Sequence, residues 1–567
     1  MESRYKPVEQ WISYCSKNHE SCQEAAEGYP SRLLDLQQAG KSGIIRVVEA
    51  NSLLRPLPQY TTLSHCWGGS QPLRTTKDNL AQHQDIISLS QLPKTYRDAV
   101  KVSLRLDIRY LWIDSLCILQ DSREDWEHEA QLMATIYQNS YLTISATSSP
   151  DSHGGCFIEE RMSDIVEAWC MVQNQPGYIT SGRCYYVRFL KVKEEFPKPL
   201  QSRGWVLQES SLSRRVLNLT SEQMYWQCKE SFDSEDGCTT LGKLEGALSK
   251  KPRWFAELDI FWEAPNEWET ADSMTRRWHL WAVGYCKRQL TFREDKLPAI
   301  AGLIRYHQLQ ARDEPVLGLW RSTVAVDLRW AVSVPSKNLR VSHFPSWTWL
   351  CASSRVWSPW WPHEIKPEDT HVDLQLTDWS IAWSGAPYVS RLLHNRLVVT
   401  SRMLHVTLRK DLDKWAVDQN DQRLEDTPFE EYKNHDINSA SYIPDEAQTF
   451  RRGDKVAFLS LFHDDENRQC HLVLQATGEP GVYSRVGVGY LQFRPRYYMN
   501  KILAYKRSDD SDGTDEGEDD GNPGGEDAGI EGIEKKVEEK EQPRSGPDNR
   551  AMKSFLNLWE TRTIELV

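Results

Sequence analysis

The chain runs to 567 residues, too long for a single hydrophobic core, and its 23 Trp and 22 Tyr supply large side chains able to fill more than one. Its formal charge is -13, but residues 508–534 hold twelve Asp or Glu and no Lys or Arg, so the rest of the chain carries only -1. That near-neutral remainder shows neither a basic nucleic-acid face nor a polybasic membrane patch in its composition, and no stretch approaches the roughly 18 apolar residues of a membrane span.

The N-terminal MESRYKPVEQWISYC lacks the apolar core of a signal peptide, and twelve scattered cysteines without framework spacing are expected as thiols in a cytoplasmic protein. Within CSKNHESC, Cys15, His19 and Cys22 stand at metal-like spacing, but no fourth ligand is evident nearby. The expectation is a helical N-terminal segment, residues 1–40, packed through Trp11 and these cysteines, with no metal.

From residue 41 the pattern steps through strands and helices. GIIRVVEA and YTTLSHCW have strand character, TYRDAVKVSLRL places Ala99, Val102 and Leu106 on one helical face, and RYLWID is a short apolar strand. A helix from about Ser122 to Asn139 carries Trp126, Ala130, Met133 and Tyr137 as one stripe, and YLTISAT follows as a strand. Strands alternating with helices predict an α/β fold with a parallel, flavodoxin-like sheet over residues 41–235. Residues 236–505 turn to short aromatic segments broken by Pro, Ser and Asp, expected as a mixed α+β region. Residues 506–548, rich in Gly, Pro and like charges, are expected to be a disordered acidic insertion, and 549–567 a short helix or strand docked on the body.

In open parallel sheets ligands bind outside the carboxyl ends of the strands. Two segments fall there: SHCWGG, with Ser64, Trp67, Gly68 and Gly69, and DSLCILQD, with Asp114, Cys117 and Gln120. Together they could line a polar pocket for a small ligand, or Asp and Ser could be ordinary caps beside buried cysteines. Glu129 lies one helical turn beyond Trp126, near the edge of the apolar stripe, where its carboxylate could reach the strand ends as a base or as a stabiliser of positive charge. Cys66 next to His65, and Cys117 three residues after Asp114, suggest a thiol nucleophile on paper. Adjacent strand residues point to opposite faces, which argues against a working dyad. A third block, SRGWVLQESSLSRRVLNLTSEQMYWQC, brings Arg203, Trp205, Gln208 and Glu209, in which an Arg203–Glu209 pair would fix how the segment docks.

In their order and length, YTTLSHCWGG, YLWIDSLCILQDSREDWEHEAQLMATIYQNSYLTISAT and SRGWVLQESSLSRRVLNLTSEQMYWQC resemble the heterokaryon incompatibility (HET) domain family of filamentous fungi. Later segments, 286–303, 318–330 and 345–352, are similar to the C-terminal continuation common in these proteins, and Gln227 stands where a Glu is usual. The resemblance implies a trigger of non-self recognition that provokes growth arrest or cell death. The family has also been compared with Toll/interleukin-1 receptor (TIR) domains, some of which cleave NAD with a glutamate in a Trp-x-x-Glu setting; Trp126 and Glu129 look similar. This implies NAD or a related nucleotide as substrate, Glu129 as catalytic residue, and activation by self-association or a protein partner. The G-x-G-x-x-G turn of dehydrogenases is absent, and only Gly68-Gly69 offers a Gly-rich turn, so hydride transfer is disfavoured. The competing reading is a non-catalytic interaction module anchored by Arg214, Arg215 and the Trp-rich region.

Overall fold

The structure, a computed structural model, describes residues 5–53, 56, 58–69, 73–156, 165–175, 178–188, 199–221, 223–235, 240–241, 271–332, 340–341, 343–352, 356–357, 370–407, 437–446, 453–464, 468–493 and 557–567. It divides into two compact units, one of residues 1–323, 339–358 and 380–395, the other of residues 324–338, 359–379 and 396–567.

The first unit is built on a ten-stranded sheet. Its strands are β1 (Arg32–Asp35), β2 (Ile44–Glu49), β3 (Tyr60–Ser64), β4 (Ile87–Ser88), β5 (Tyr110–Trp112) and β6 (Leu142–Ser145), followed after a separate antiparallel hairpin (β7, Ile165–Gln175; β8, Tyr178–Arg188) by β9 (Arg215–Leu219), β10 (Met224–Cys228), β11 (Phe232–Ser234) and β12 (Thr240–Leu241). They lie in the order β12-β11-β10-β9-β6-β3-β5-β1-β2-β4. The centre, β9-β6-β3-β5, is parallel, and the strands on either side of it are antiparallel. The α/β expectation holds, with a mixed sheet in place of a wholly parallel one.

Burial follows position in the sheet. All five residues of β3, Tyr-Thr-Thr-Leu-Ser, are buried, as a central strand covered on both faces requires. In β2, Ile45 and Val47 are buried around exposed Arg46, the alternation of a more peripheral strand. The first forty residues hold more than the expected helix α1 (Lys6–Asn18): β1 lies between β5 and β2. Four consecutive buried residues, RLLD, carry no periodicity that separates strand from helix.

Short helices α2 (Ala39–Ser42) and α3 (Leu80–Asp85) precede α4 (Lys94–Arg105), which joins β3 to β5 and buries Ala99 and Val102. The single turn α5 (Asp114–Cys117) and α6 (Arg123–Asn139) join β5 to β6, and α7 (Val206–Leu212) leads into β9. Two later helices, α8 (Ala271–Cys286) and α9 (Pro298–Ala311), belong to the same unit, and α9 packs on α6 and α7. Close approach there depends on Gly302: a Cβ at this position would lie 2.6 Å from Ala134 Cβ and 3.1 Å from Leu212 Cδ1. Trp278, Trp320 and Trp349 form an aromatic cluster with His307 and Tyr285, which is where part of the Trp-rich composition goes.

The second unit is β-rich, while residues 271–323 of the expected mixed region 236–505 fall in the first unit with its two later helices. Antiparallel strands Lys455–Asp464, Arg468–Ala476 and Val482–Phe493 pair in sequence, and Glu560–Leu566 joins the same sheet. The C-terminal segment is therefore a docked strand. The acidic run 506–548 falls outside the described residues, between two strands of that sheet in chain order. Arg485 is wholly buried on Asp445, with its other donors on the carbonyls of Leu328 and Trp330, so its charge and N–H groups are compensated together.

Among the described residues no helix is long and apolar enough to cross a membrane.

Candidate functional site

The chain leaves β3 toward β5 on one side and leaves β6 toward β9 on the other, so the neighbouring exits of β3 and β6 diverge. This is the topological switch at which α/β sheets place ligands. Ser64 and Ser145 are register partners at that point. The loop after β3 (residues 65–69), the loop after β6 (residues 146–156) and helix α7 converge there.

Glu209, from α7, accepts a 2.5 Å hydrogen bond from Ser64 Oγ and is almost wholly buried. Burial pushes its carboxyl up to about 7, against the opposing pull of Arg203 and the Ser64 hydroxyl. Arg203 donates to the carbonyl of His65, holding a cation over the same loop. Trp67 Nε1 donates to Asp114 Oδ2 at 2.9 Å, which ties the exits of β3 and β5 together. His65 is buried, its Nε2 on the Tyr96 hydroxyl at 3.0 Å and its Nδ1 3.9 Å from Asp114, and burial lowers it to about 4, so the ring is neutral near pH 7. Ser64, His65, Trp67, Asp114, Arg203 and Glu209 thus form one connected polar group at the switch point.

The second Gly pair of this region escaped the sequence reading. In the loop after β6, Asp151 Oδ1 accepts the N–H groups of His153 and Gly154, and Ser152 Oγ donates to the carbonyls of Cys66 and Trp67. Gly155, at φ +81°, sits where a Cβ would meet Lys94 Nζ at 2.7 Å, and its N–H donates to Thr95 Oγ1. The loop therefore seats on the start of α4. Gly68, also at φ +81°, faces Asp151, whose Cβ would lie 2.3 Å from an added Cβ; only glycine lets the two exit loops touch. The signal available in the sequence was SSPDSHGG directly after YLTISAT. Gly69 is exposed, with open space where a Cβ would be.

The segment Asp114–Asp121 is a turn held by its own side chains. Asp114 Oδ1 accepts from Ser115 N at 2.7 Å, and Gln120 Nε2 donates to the carbonyls of Asp114 and Ile118. Gln120 thus reaches the group only through the Asp114 backbone. Cys117 is fully buried, its thiol pushed up to about 12, and burial pushes Cys66 up to about 11. Neither is the thiolate that a cysteine nucleophile needs.

Glu129 falls within the buried stripe of α6, on the other side of β5 from Glu209. One carboxylate oxygen accepts from Ser31 N at 3.3 Å, and the other is buried without a hydrogen-bond partner. Arg32 lies beside it, paired with Asp125 and donating to the carbonyl of Cys117 at 2.8 Å. Burial raises the Glu129 carboxyl, and Ser31 and Arg32 oppose the rise. The expected cleft-edge carboxylate is thus sealed against β1. Trp126 packs edge-on to Trp205, which donates to Asp295, and Gln208 accepts from Gly302 N at 3.1 Å, so these three serve the docking of the later helices. Arg214 donates to the carbonyl of Asn139, and Arg215 is buried, which removes Arg215 as a surface anchor.

Residues 60–209 match the family model described as Heterokaryon incompatibility protein (HET). This segment is a HET domain. It begins at the first residue of β3 and ends on Glu209, so the whole polar group lies inside it. A function of the heterokaryon-incompatibility type follows in general terms from the domain. No curated protein and no solved structure matches the chain.

Proposed function

We propose that the HET domain is a non-self recognition effector that arrests growth or kills the cell by cleaving NAD or a related nucleotide at the β3/β6 switch point, with Glu209 as its working carboxylate. The observation that carries this reading is the Ser64–Glu209 pair: a buried carboxyl at about 7, where ligands of α/β sheets bind, with a cation held nearby. A carboxylate of this kind can stabilise the oxocarbenium-like charge that develops as the ribosyl C–N bond breaks and neutral nicotinamide leaves with the bonding electrons. Water then bonds to the ribosyl carbon and gives its proton to Glu209, whose affinity for it near pH 7 suits a general base. Glu129, chosen by the Trp-x-x-Glu likeness, is the alternative carboxylate. Self-association would open the Ser64–Glu209 contact and admit the substrate.

A second reading is favoured by one observation: the members of the polar group are bonded to one another, as in a structural latch. The domain would then signal by contact alone. Inducible expression in a fungal host, with growth and cellular NAD followed together, separates the two. The enzymatic reading expects NAD to fall before growth stops and both effects to vanish in Glu209→Gln. Growth arrest with unchanged NAD, undiminished in that variant, would overturn it in favour of the contact module.

A further inference from the structure

The three metal-type residues near the N-terminus acquire a fourth from β10, distant in sequence but packed beside α1. Cys15 lies in the last turn of α1, His19 caps that helix and Cys22 follows in the loop, while Cys228 is the last residue of β10. One ligand atom from each lies within 4.8 Å of all the others, and all four residues are buried. A tetrahedral zinc with bonds of about 2.1–2.3 Å needs ligand atoms somewhat under 4 Å apart, so a small contraction closes the shell. We propose that Cys15, His19, Cys22 and Cys228 bind one Zn²⁺ and that this closed Cys₃His site fastens α1 to the β10–β11 turn.

The surroundings suit thiolates. Ser231 N–H donates to Cys228 Sγ at 3.2 Å, and backbone N–H groups of Lys229 and Glu230 point at Cys22 and Cys228, so the turn after β10 aims its amides at the sulfurs. Arg215 Nε donates to Cys15 Sγ at 3.2 Å. Its other donors go to the Tyr141 carbonyl and Ser16 Oγ, and among the described residues no carboxylate pairs with this buried guanidinium. Zinc with three thiolates and a neutral imidazole carries a net charge of -1, which is the countercharge Arg215 lacks. The flanking loop is pinned as well: Ser21 donates to the Glu230 carboxylate through Oγ and N, and Gln23 Nε2 bonds the carbonyls of Cys15, Ser16 and His19. Four protein ligands leave no open position, so the site is structural. All four ligands lie outside the matched HET segment, residues 60–209, which makes the clip a property of the larger unit.

The test uses the full chain, expressed in zinc-supplemented medium and measured for bound metal by plasma mass spectrometry. One zinc per chain is expected, released by a strong chelator with a fall in the thermal midpoint. After cobalt exchange the protein should show thiolate-to-cobalt charge transfer and the intense visible bands of a tetrahedral site. Cys228→Ser should lose the metal; because that variant could fail to fold, His19→Cys provides a check, since it should keep one zinc with an altered cobalt spectrum. Protein that is folded yet lacks zinc and takes up no cobalt would overturn the proposal, as would a disulfide joining two of the three cysteines in the native protein.

Discussion

Replacing Glu209 by Gln removes the one carboxyl of the switch-point group that burial has raised to about 7, and the change has a calculable pH signature. A carboxyl that binds its proton more tightly in the folded chain contributes stability that is fully present below its unfolded value, near 4.5, and is lost as the pH rises through about 7. At about 1.4 kcal/mol per pH unit, the span from 4.5 to about 7 amounts to about 3 kcal/mol of order-of-magnitude linkage. Glutamine keeps the shape and can still bond Ser64 but does not titrate. The stability of Glu209→Gln relative to wild type should therefore rise between pH 5 and pH 8 by an amount of this order, whatever the offset from losing the Arg203 attraction. Denaturant unfolding of both proteins followed by Trp fluorescence at those two pH values gives the difference directly, since every other group titrates alike in both. A difference that stays constant with pH would refute the assignment of a buried, near-neutral carboxyl to this site.

Gly302→Val should lower stability by about 1–3 kcal/mol, because the new side chain overlaps Ala134 and Leu212 where α9 meets α6 and α7; the unfolding midpoint reports it. Cys66 and Cys117 should resist alkylation at pH 7 in the folded chain, as thiols held at about 11 and about 12, and mass spectrometry after brief iodoacetamide treatment would show either one reacting. Asp35 is buried, which favours its neutral form, but hydrogen bonds from Arg109, the Gln37 N–H and Arg46 outweigh burial and hold its carboxyl below the ordinary range. Its contribution is therefore present above about 3.8 and lost as the pH falls through the folded value, so Asp35→Asn should destabilise the protein at pH 7 and progressively less on acidification.

What could be read in the sequence was local. YTTLS, RYLW and LTIS identify themselves as buried strands, and the α6 stripe of Ala130, Met133 and Tyr137 repeats at helical spacing. For the seven residues after Ile113, Asp, Ser and Gln fit a ligand pocket and a self-bonded turn equally well, and the pocket expected around Asp114, Cys117 and Gln120 gives way to a turn in which Asp114 and Gln120 bond the local backbone. The choice between Glu129 and Glu209 was not local. Glu129 sits one residue from the apolar stripe, and whether it reaches the cleft or β1 depends on where residues 31–35 pair. Glu209 looked like a docking residue because its partner, Ser64, lies 145 positions away. The same limit applies to Cys228, whose neighbour His19 is 209 positions distant, so no spacing rule near the N-terminus could supply the fourth ligand. Interactions closed by the sheet become visible only when the sheet order is known.

Under the proposed function, Glu209 is the working carboxylate of a nucleotide-cleaving site. Initial rates of nicotinamide release from NAD, measured with the purified chain fused to an oligomerising coiled coil, test it most directly. Release by the clustered wild type is expected, abolished in Glu209→Gln and retained in Glu129→Gln. Intact NAD with every protein, or unchanged turnover by Glu209→Gln, would contradict it.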